Sequence, residues 1–353
     1  MRCELSAGAR PRCLPNPSGL RFNRQLSRLQ GLRMSHFHGL PPASSNHRPW
    51  WMTPWKRWLL IVTLPIVGVV VMLTAFQRSL IYHPFAEKSL PAKLAGLATG
   101  RVHDVTTQSE DGFDLHGWLI LAKGHSAGTD NELDATLAEG RPVALYFGGN
   151  AANRSYRTLE VQALADAGAD VLIFDYRGYG DNLGEPSEAG LARDARAVWR
   201  FATETKKIEP RRIVLFGESL GGGVAVRLAN ELCQKKTSPG GLILRSTFSS
   251  LTDAGAYHFP WLPVRWLLMD RFPSEDRIRN VDCPLLQFHG MRDTIVPYRF
   301  GQKLFDAAPD KSFSGVAKKI VELPNADHND VMETSGRVVT NEISEFLAVA
   351  MPQ

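Results

Sequence analysis

The residues most capable of chemistry lie in the stretch 217–221, which reads Gly-Glu-Ser-Leu-Gly. An apolar run, 212–216, precedes this stretch, and a helix-like segment, 220–233, follows it. A turn this sharp between a strand and a helix requires small residues beside the serine, and it presents the hydroxyl at the edge of a sheet. The pattern therefore predicts Ser219 as the nucleophile of covalent catalysis.

A serine hydroxyl needs a base to remove its proton, and in this arrangement the chain order is serine, acid, histidine. Asp293 lies in the turn after the predicted strand 284–289, whereas the other aspartates between Ser219 and the last predicted strand do not directly follow a strand. Of ten histidines, only His328 lies C-terminal to Asp293, and it follows the last predicted strand. We therefore expect a Ser219–His328–Asp293 triad. Asp330 either orients the histidine loop or is a solvated charge.

The charge that develops on a substrate oxygen needs two N–H donors. Leu220 follows the nucleophile and should supply one of them. The other should come from the loop 147–153 after the third strand, where two glycines let the backbone approach a substrate. We expect Asn150 to be this second donor, with Ala151 as the alternative.

From about residue 100, short apolar runs alternate with segments of helix length, a pattern typical of a mostly parallel sheet covered on both faces. The predicted strands are 102–109, 113–121, 142–147, 170–175, 212–216, 241–245, 284–289 and 319–323. The predicted helices are 156–167, 187–205, 220–233, 298–308 and 336–350. The polar segment 122–141 is predicted to be a surface loop.

Several motifs together make the chain resemble membrane-anchored α/β-hydrolase-domain proteins of the serine-aminopeptidase-like hydrolase family. These motifs are 80–84 (Leu-Ile-Tyr-His-Pro), 146–151, 175–180, 217–221, the turn at Asp293, and 328–330. The resemblance covers about residues 78–350 and implies an α/β-hydrolase fold. One departure is Gly148-Gly149-Asn150, where the family usually has His-Gly-Asn, so a side chain that braces the loop is missing. The motif 175–180 is expected to fix a loop beside the nucleophile turn.

A candidate membrane helix lies at 58–76, nineteen residues without a charge. At about 1.5 Å per residue this run spans roughly 28 Å, close to the hydrocarbon thickness of a bilayer. Leu73 occupies a position where a signal-peptide cleavage site requires a small residue, which favours an uncleaved signal-anchor. Residues 1–57 carry ten Lys or Arg and one acid, hence +9, while the whole chain carries +5. This asymmetry predicts a cytoplasmic N-terminus and a catalytic domain on the periplasmic or the luminal or extracellular side.

Residues 1–51 are rich in Arg, Pro, Ser and Gly and are predicted to be a disordered basic tail or a translated leader ahead of a start at Met34 or Met52. Residues 58–353 carry +5 − 9 = −4, so we expect no nucleic-acid partner. Cys233 and Cys283 have no metal spacing and are expected to be buried thiols or a disulfide, while Cys3 and Cys13 lie in the tail. No metal and no organic cofactor is implied.

The segment 250–282 breaks the strand–helix alternation and is rich in aromatic residues, so it is predicted to be an apolar cap of the hydrolase domain 78–353. Its aromatics either contact a hydrophobic acyl group or pack inward to hold the cap. The favoured function is hydrolysis of a small-molecule or lipid-like ester or thioester through an acyl-enzyme. A serine aminopeptidase is the second hypothesis, and it needs an acidic clamp from Glu185, Glu188 or Asp253. An idle, membrane-anchored binding domain is the third.

Overall fold

A computed structural model describes residues 53–351. Residues 59–351 belong to one compact unit. Helix α1 (Pro54–Ala75) contains Pro65 and exposes its apolar side chains along most of its length. In the part of the chain that the structure describes, it is the one helix long and apolar enough to cross a membrane. The predicted tail, with Cys3 and Cys13, lies outside the described residues.

Ten strands follow α1. They are β1 (His83–Pro84), β2 (Val102–Gln108), β3 (Asp114–Ile120), β4 (Val143–Phe147), β5 (Ala151–Ala152), β6 (Asp170–Phe174), β7 (Ile213–Glu218), β8 (Gly241–Arg245), β9 (Leu285–Gly290) and β10 (Lys319–Leu323). Eight of them form one sheet in the order β10-β9-β8-β7-β4-β6-β3-β2. Strand β3 pairs antiparallel with both β2 and β6, and the other pairs in this sheet are parallel, so the sheet is mostly parallel, as predicted.

Helices cover both faces of this sheet. They are α2 (Gln77–Ile81), α3 (Asp130–Leu137), α4 (Thr158–Asp166), α5 (Glu188–Arg200), α6 (Leu220–Gln234), α7 (Leu251–His258), α8 (Val264–Leu267), α9 (Ser274–Ile278), α10 (Tyr298–Ala307) and α11 (Val331–Ala350). Alternate strand residues point to opposite faces. Leu145 and Leu215 therefore pack in the apolar cluster that holds α5 and α6, while Ala144 and Val214 pack in the cluster that holds α4 and α11.

Two predictions about helices were wrong: one helix was missed, and another begins earlier than predicted. The predicted loop 122–141 contains α3, whose Leu133 and Leu137 are buried and whose first turn is capped by Thr129. Eight residues with two core contacts are too few for a clear helical period. Helix α11 begins at Val331 rather than at 336, because buried Val331 packs in the core and this contact outweighs the poor helix propensity of Gly336.

A small parallel sheet near α1 has no counterpart in the sequence pattern. Strand β1 pairs with β5 through His83 opposite Ala151 and Pro84 opposite Ala152. Two-residue strands leave no periodic signal. The pairing lays the segment after α1 directly beside the loop that follows β4.

The segment 250–282 carries α7, α8 and α9, and its aromatic residues divide between two environments. Phe272 is 1% exposed and packs edge to face against Phe248, whereas Trp261 and Trp266 are 67% and 86% exposed. Phe272 therefore packs inward and holds the cap, whereas Trp261 and Trp266 do not pack inward. In the body, Cys233 and Cys283 are buried free thiols, which is the first of the two states expected for them.

Candidate active site

The candidate nucleophile occupies the junction of β7 and α6. Ser219 has φ 50° and ψ −115°, a conformation that strains any residue with a side chain. A Cβ atom on Gly221 would lie 2.0 Å from the carbonyl oxygen of Phe147, so this position admits only glycine. The geometry explains why glycine follows the serine at this spacing.

The structure brings the three predicted triad residues into one hydrogen-bonded chain. His328 Nε2 lies 3.0 Å from Ser219 Oγ, and His328 Nδ1 lies 2.7 Å from Asp293 Oδ2. All three side chains are buried. With Nδ1–H donating to the carboxylate, Nε2 is free to accept the serine proton, which is the arrangement that a general base requires.

The loops that carry the acid and the base hold each other. We name residues 291–297, after β9, the acid loop, and residues 324–330, after β10, the base loop. Asp293 Oδ1 accepts hydrogen bonds from the N–H groups of Ile295 (3.0 Å) and Val296 (2.7 Å). Asp327 accepts from Thr294 N–H at 2.9 Å and so joins the two loops.

Asp330 takes part in the base loop as a structural acceptor. Its Oδ1 accepts from Asp327 N–H at 2.7 Å. Of the two interpretations of this residue, the one in which it orients the loop is therefore supported.

His289 lies behind the acid loop and was missed by the sequence interpretation. Its side chain is fully buried, and Nε2 lies 2.8 Å from the carbonyl oxygen of Val296 and 3.5 Å from Asp293 Oδ2. Burial lowers the pKa of His289 below its ordinary 6.5. A neutral His289 ring with its proton on Nε2 can donate to the carbonyl oxygen of Val296 and so hold the acid loop that carries Asp293. The sequence signal was its place at the end of the strand just before Asp293.

The two predicted oxyanion donors lie beside Ser219 in one cavity. Leu220 is the first residue of α6, where an N–H has no partner within the helix. Asn150 donates from its side-chain amide to Ile81 O at 2.9 Å, which holds this side chain against the segment after α1. Ala151, the alternative donor, lies in β5 opposite His83.

The backbone of the oxyanion loop, residues 147–153, is supported from outside the loop. The Asn150 carbonyl accepts from His83 N–H at 2.8 Å and from Tyr179 O–H at 2.7 Å. Tyr176 O–H donates to the Gly148 carbonyl at 3.2 Å. Both tyrosines belong to the motif 175–180, which was expected to fix a loop beside the nucleophile turn.

A charged cluster beside the nucleophile contacts the oxyanion loop. Arg157 donates to Ala151 O at 2.9 Å and pairs with Glu218 at 2.7 Å. Glu218 also pairs with Arg245 at 2.9 Å, and Arg245 reaches the carbonyl of His328 at 3.4 Å. Burial alone would raise the pKa of Glu218, but the two guanidinium groups outweigh it and lower the pKa to about 2. The cluster therefore connects the oxyanion loop, the nucleophile turn and the base loop.

An apolar cavity of about 500 Å³ opens above Ser219. Its walls come from the end of α1, from α2 and from the cap, and none of the described residues that line it is Asp or Glu. Within residues 53–351, no three His, Cys, Asp or Glu side chains form a group that could hold a metal ion.

The residues considered for an acidic clamp are engaged elsewhere or exposed. Glu188 accepts hydrogen bonds from the N–H groups of Arg271 and Phe272 and thereby holds the cap. Asp253 pairs with Lys303, and Glu185 is exposed at the surface. The structure does not bring any of these three carboxylates into the cavity.

Comparison with known proteins identifies relatives of the chain. Residues 143–275 match the family model described as serine aminopeptidase, S33. An uncharacterized protein of Mycobacterium tuberculosis is 41% identical over 287 residues, which cover 81% of this chain and 92% of that protein. The lysophosphatidylserine lipase ABHD12 of Danio rerio is 31% identical over 281 residues, 73% of each chain.

Solved structures share the fold. An esterase of Pyrococcus furiosus superposes with a TM-score of 0.56 at 20% identity, covering 77% of this chain and 98% of the esterase. An α/β-hydrolase of Vibrio vulnificus superposes with a TM-score of 0.55 at 19% identity, covering 76% and 96%. The predicted α/β-hydrolase fold is confirmed.

Proposed function

Because the chain belongs to the serine-aminopeptidase-like family of α/β-hydrolases and is a serine hydrolase, we propose that Ser219, His328 and Asp293 are its catalytic triad. The hydrogen-bonded chain from Ser219 through His328 to Asp293, at the base of an apolar cavity, is the observation that supports this assignment. The reaction is hydrolysis of an ester or thioester through an acyl-enzyme.

In the acylation step, His328 Nε2 takes the Ser219 proton while Oγ attacks the carbonyl carbon. The N–H groups of Leu220 and Asn150 stabilise the oxyanion. Collapse of the tetrahedral intermediate breaks the bond to the alcohol or thiol, which leaves with the proton from His328. Water then attacks the acyl-enzyme, gives its proton to the same nitrogen, and Ser219 departs with that proton restored. Asp293 stabilises the imidazolium in both halves of the reaction.

The cavity lining favours a hydrophobic acyl substrate of lipid type. Such a lining excludes water from an acyl chain, and its described residues include no carboxylate to pair with a substrate ammonium group, which a serine aminopeptidase would need. The relative from Danio rerio is named a lysophosphatidylserine lipase, and a monoacyl lipid ester is the substrate class we propose here.

Labelling with a fluorophosphonate and a substrate panel test the proposal. Wild-type protein should react with the probe and hydrolyse p-nitrophenyl esters and a long-chain monoacyl ester, but not an aminoacyl amide. Ser219→Ala should remove labelling and lower kcat on the order of 10⁶-fold while leaving the melting curve unchanged. Hydrolysis of the amide alone would select the aminopeptidase, and normal turnover by Ser219→Ala would end the triad assignment.

We further propose that the run 58–76 anchors the hydrolase domain 78–353 and its cap 250–282 to a membrane, with the N-terminus in the cytoplasm. The single apolar helix α1 and the basic tail support this orientation. A reporter pair fused after Gln353 tests it. Alkaline phosphatase activity without green fluorescence fits the proposal, and the opposite pattern would reverse the orientation.

A further inference from the structure

The end of helix α1 forms part of the wall of the cavity that holds Ser219. Leu73 and Thr74, in the last turn of the helix, are half-buried and line the same cavity as the serine. These are the residues at which a spanning helix would leave the hydrocarbon. The cavity that holds the candidate nucleophile therefore also reaches the end of α1, where this helix would meet the surface of the bilayer.

The mouth of the cavity is bordered by exposed apolar side chains of the cap. Phe259 and Trp261 line the cavity and are 50% and 67% exposed. Trp266 and Met269 lie on the same segment outside the lining, and they are 86% and 55% exposed. We name these four residues the cap rim. Apolar side chains grouped in this way mark a surface that meets another apolar body, and indoles favour the membrane interface.

Helix α2 fixes the cap rim to the end of α1. Gln77 donates to Leu267 O at 3.3 Å and accepts from Met269 N–H at 2.7 Å, so it bonds to the cap on both sides of residue 268. Arg78 pairs with Asp270 at 3.1 Å. Because of these contacts, a bilayer that surrounds α1 must also reach the cap rim.

From these contacts we infer that the cap rim rests in the interface of the bilayer entered by α1, and that a lipid substrate passes from this bilayer into the cavity between α1 and the cap. The inference rests on the proposed function for its substrate. The occupant is the bilayer rather than a protein, since Phe259 and Trp261 line the same cavity as the end of α1, and Gln77 bonds to Leu267 and Met269 beside Trp266.

The experiment uses the full chain reconstituted in phosphatidylcholine vesicles. Trp266→Ser changes an exposed side chain that does not line the cavity, and Phe313→Ser is the matched control. Phe313 is 67% exposed and lies beside Pro284 and Arg212, where strands begin, at the opposite end of the sheet. Turnover is measured on monooleoylglycerol in the vesicles and on soluble p-nitrophenyl acetate.

Trp266→Ser should lower kcat/KM on the vesicle substrate about three- to ten-fold, because one large apolar side chain no longer enters the interface. Its turnover of the soluble ester should match that of wild type, and Phe313→Ser should change neither activity. Equal effects of the two variants on the vesicle substrate would overturn the inference, as would an equal loss of both activities by Trp266→Ser. A change of oligomeric state in detergent, measured by sedimentation, would instead assign the cap rim to a second copy of the chain.

A spectroscopic measurement tests docking without reference to catalysis. In vesicles of brominated phosphatidylcholine, Trp266→Phe should reduce the amount of tryptophan emission that bromine quenches. An unchanged quenched amplitude would place Trp266 in water and overturn the inference. Failure of the proposed function would appear separately, as absence of soluble-ester hydrolysis by the wild-type protein.

Discussion

The two ends of the active site are supported in different ways. At the acid–base end, the acid loop and the base loop hold each other through Asp327 and Thr294, and Asp293 is bonded by its own loop. At the oxyanion end, Asn150 is bonded by Ile81 and His83, which lie about seventy positions away in the sequence.

This difference affects how each end responds to change. A loop that satisfies its own polar groups keeps its shape when distant segments change, whereas a loop that depends on remote partners moves when they are removed. The acid–base end should therefore be sensitive to its own side chains and insensitive to the N-terminal segment. The oxyanion end should show the reverse.

The largest expected effect comes from the acid–base end. Asp293→Asn should lower kcat on a soluble ester by about 10⁴-fold, because the amide no longer holds the imidazole in the correct tautomer. Asp330→Asn keeps an acceptor for Asp327 N–H and should stay near wild-type activity. Steady-state kinetics decide this, and a loss of only a few-fold in Asp293→Asn would mean that another group orients His328.

Removal of the segment after α1 should weaken the oxyanion end, and it also removes the buried Tyr82, which donates to Asp270 of the cap. A chain that begins at Ser79 keeps Ile81 and His83, while a chain that begins at Phe85 lacks both. The shorter chain should lose about 10²- to 10³-fold in kcat on a soluble ester, the cost of one misplaced oxyanion donor. The two chains must also have comparable melting curves, so that a loss of activity does not reflect unfolding. Equal activity of the two chains would show that the oxyanion loop needs no support from β1.

A single hydrogen bond tests the same support inside the full chain. His83→Pro removes the N–H that donates to Asn150 O, and Tyr82 before it is already extended, as a residue before proline must be. The variant should lose about three- to ten-fold in kcat, the value of one buried hydrogen bond. His83→Ala keeps the N–H and should match wild type. If alanine and proline act alike, the exposed side chain rather than the N–H is responsible.

The smallest effect concerns the pH dependence of stability at the acid–base end. Burial lowers the pKa of His289 in the folded state, so the unfolded chain binds more protons between that lowered pKa and 6.5. The free energy of unfolding should therefore fall as the pH falls below about 6.5. His289→Gln should remove this part of the slope, as measured by urea unfolding at several pH values. Identical slopes would show that His289 is protonated to the same extent in both states.

The motifs of the sequence were informative wherever neighbouring residues carry the signal. The turn at Ser219 and the loops of Asp293 and His328 each follow a strand directly, so chain order was enough to select them, and the structure places the three side chains together. Helix α3 was missed because it is short. Asn150 was selected as a donor, but the sequence could not indicate that its side-chain amide donates to Ile81 O.

By itself, the sequence determined that the sheet is mostly parallel, where its main strands lie along the chain and where the apolar helix lies before them, because buried runs and charges are local properties of the chain. Only the tertiary structure decided which residues support the oxyanion loop and which cap aromatics are exposed. Arg157 and Glu218 contact each other across 61 positions, and Phe272 is buried while Trp266, six residues earlier, is exposed. Such contacts arise from the packing of separate segments, and no local pattern of residue types encodes them.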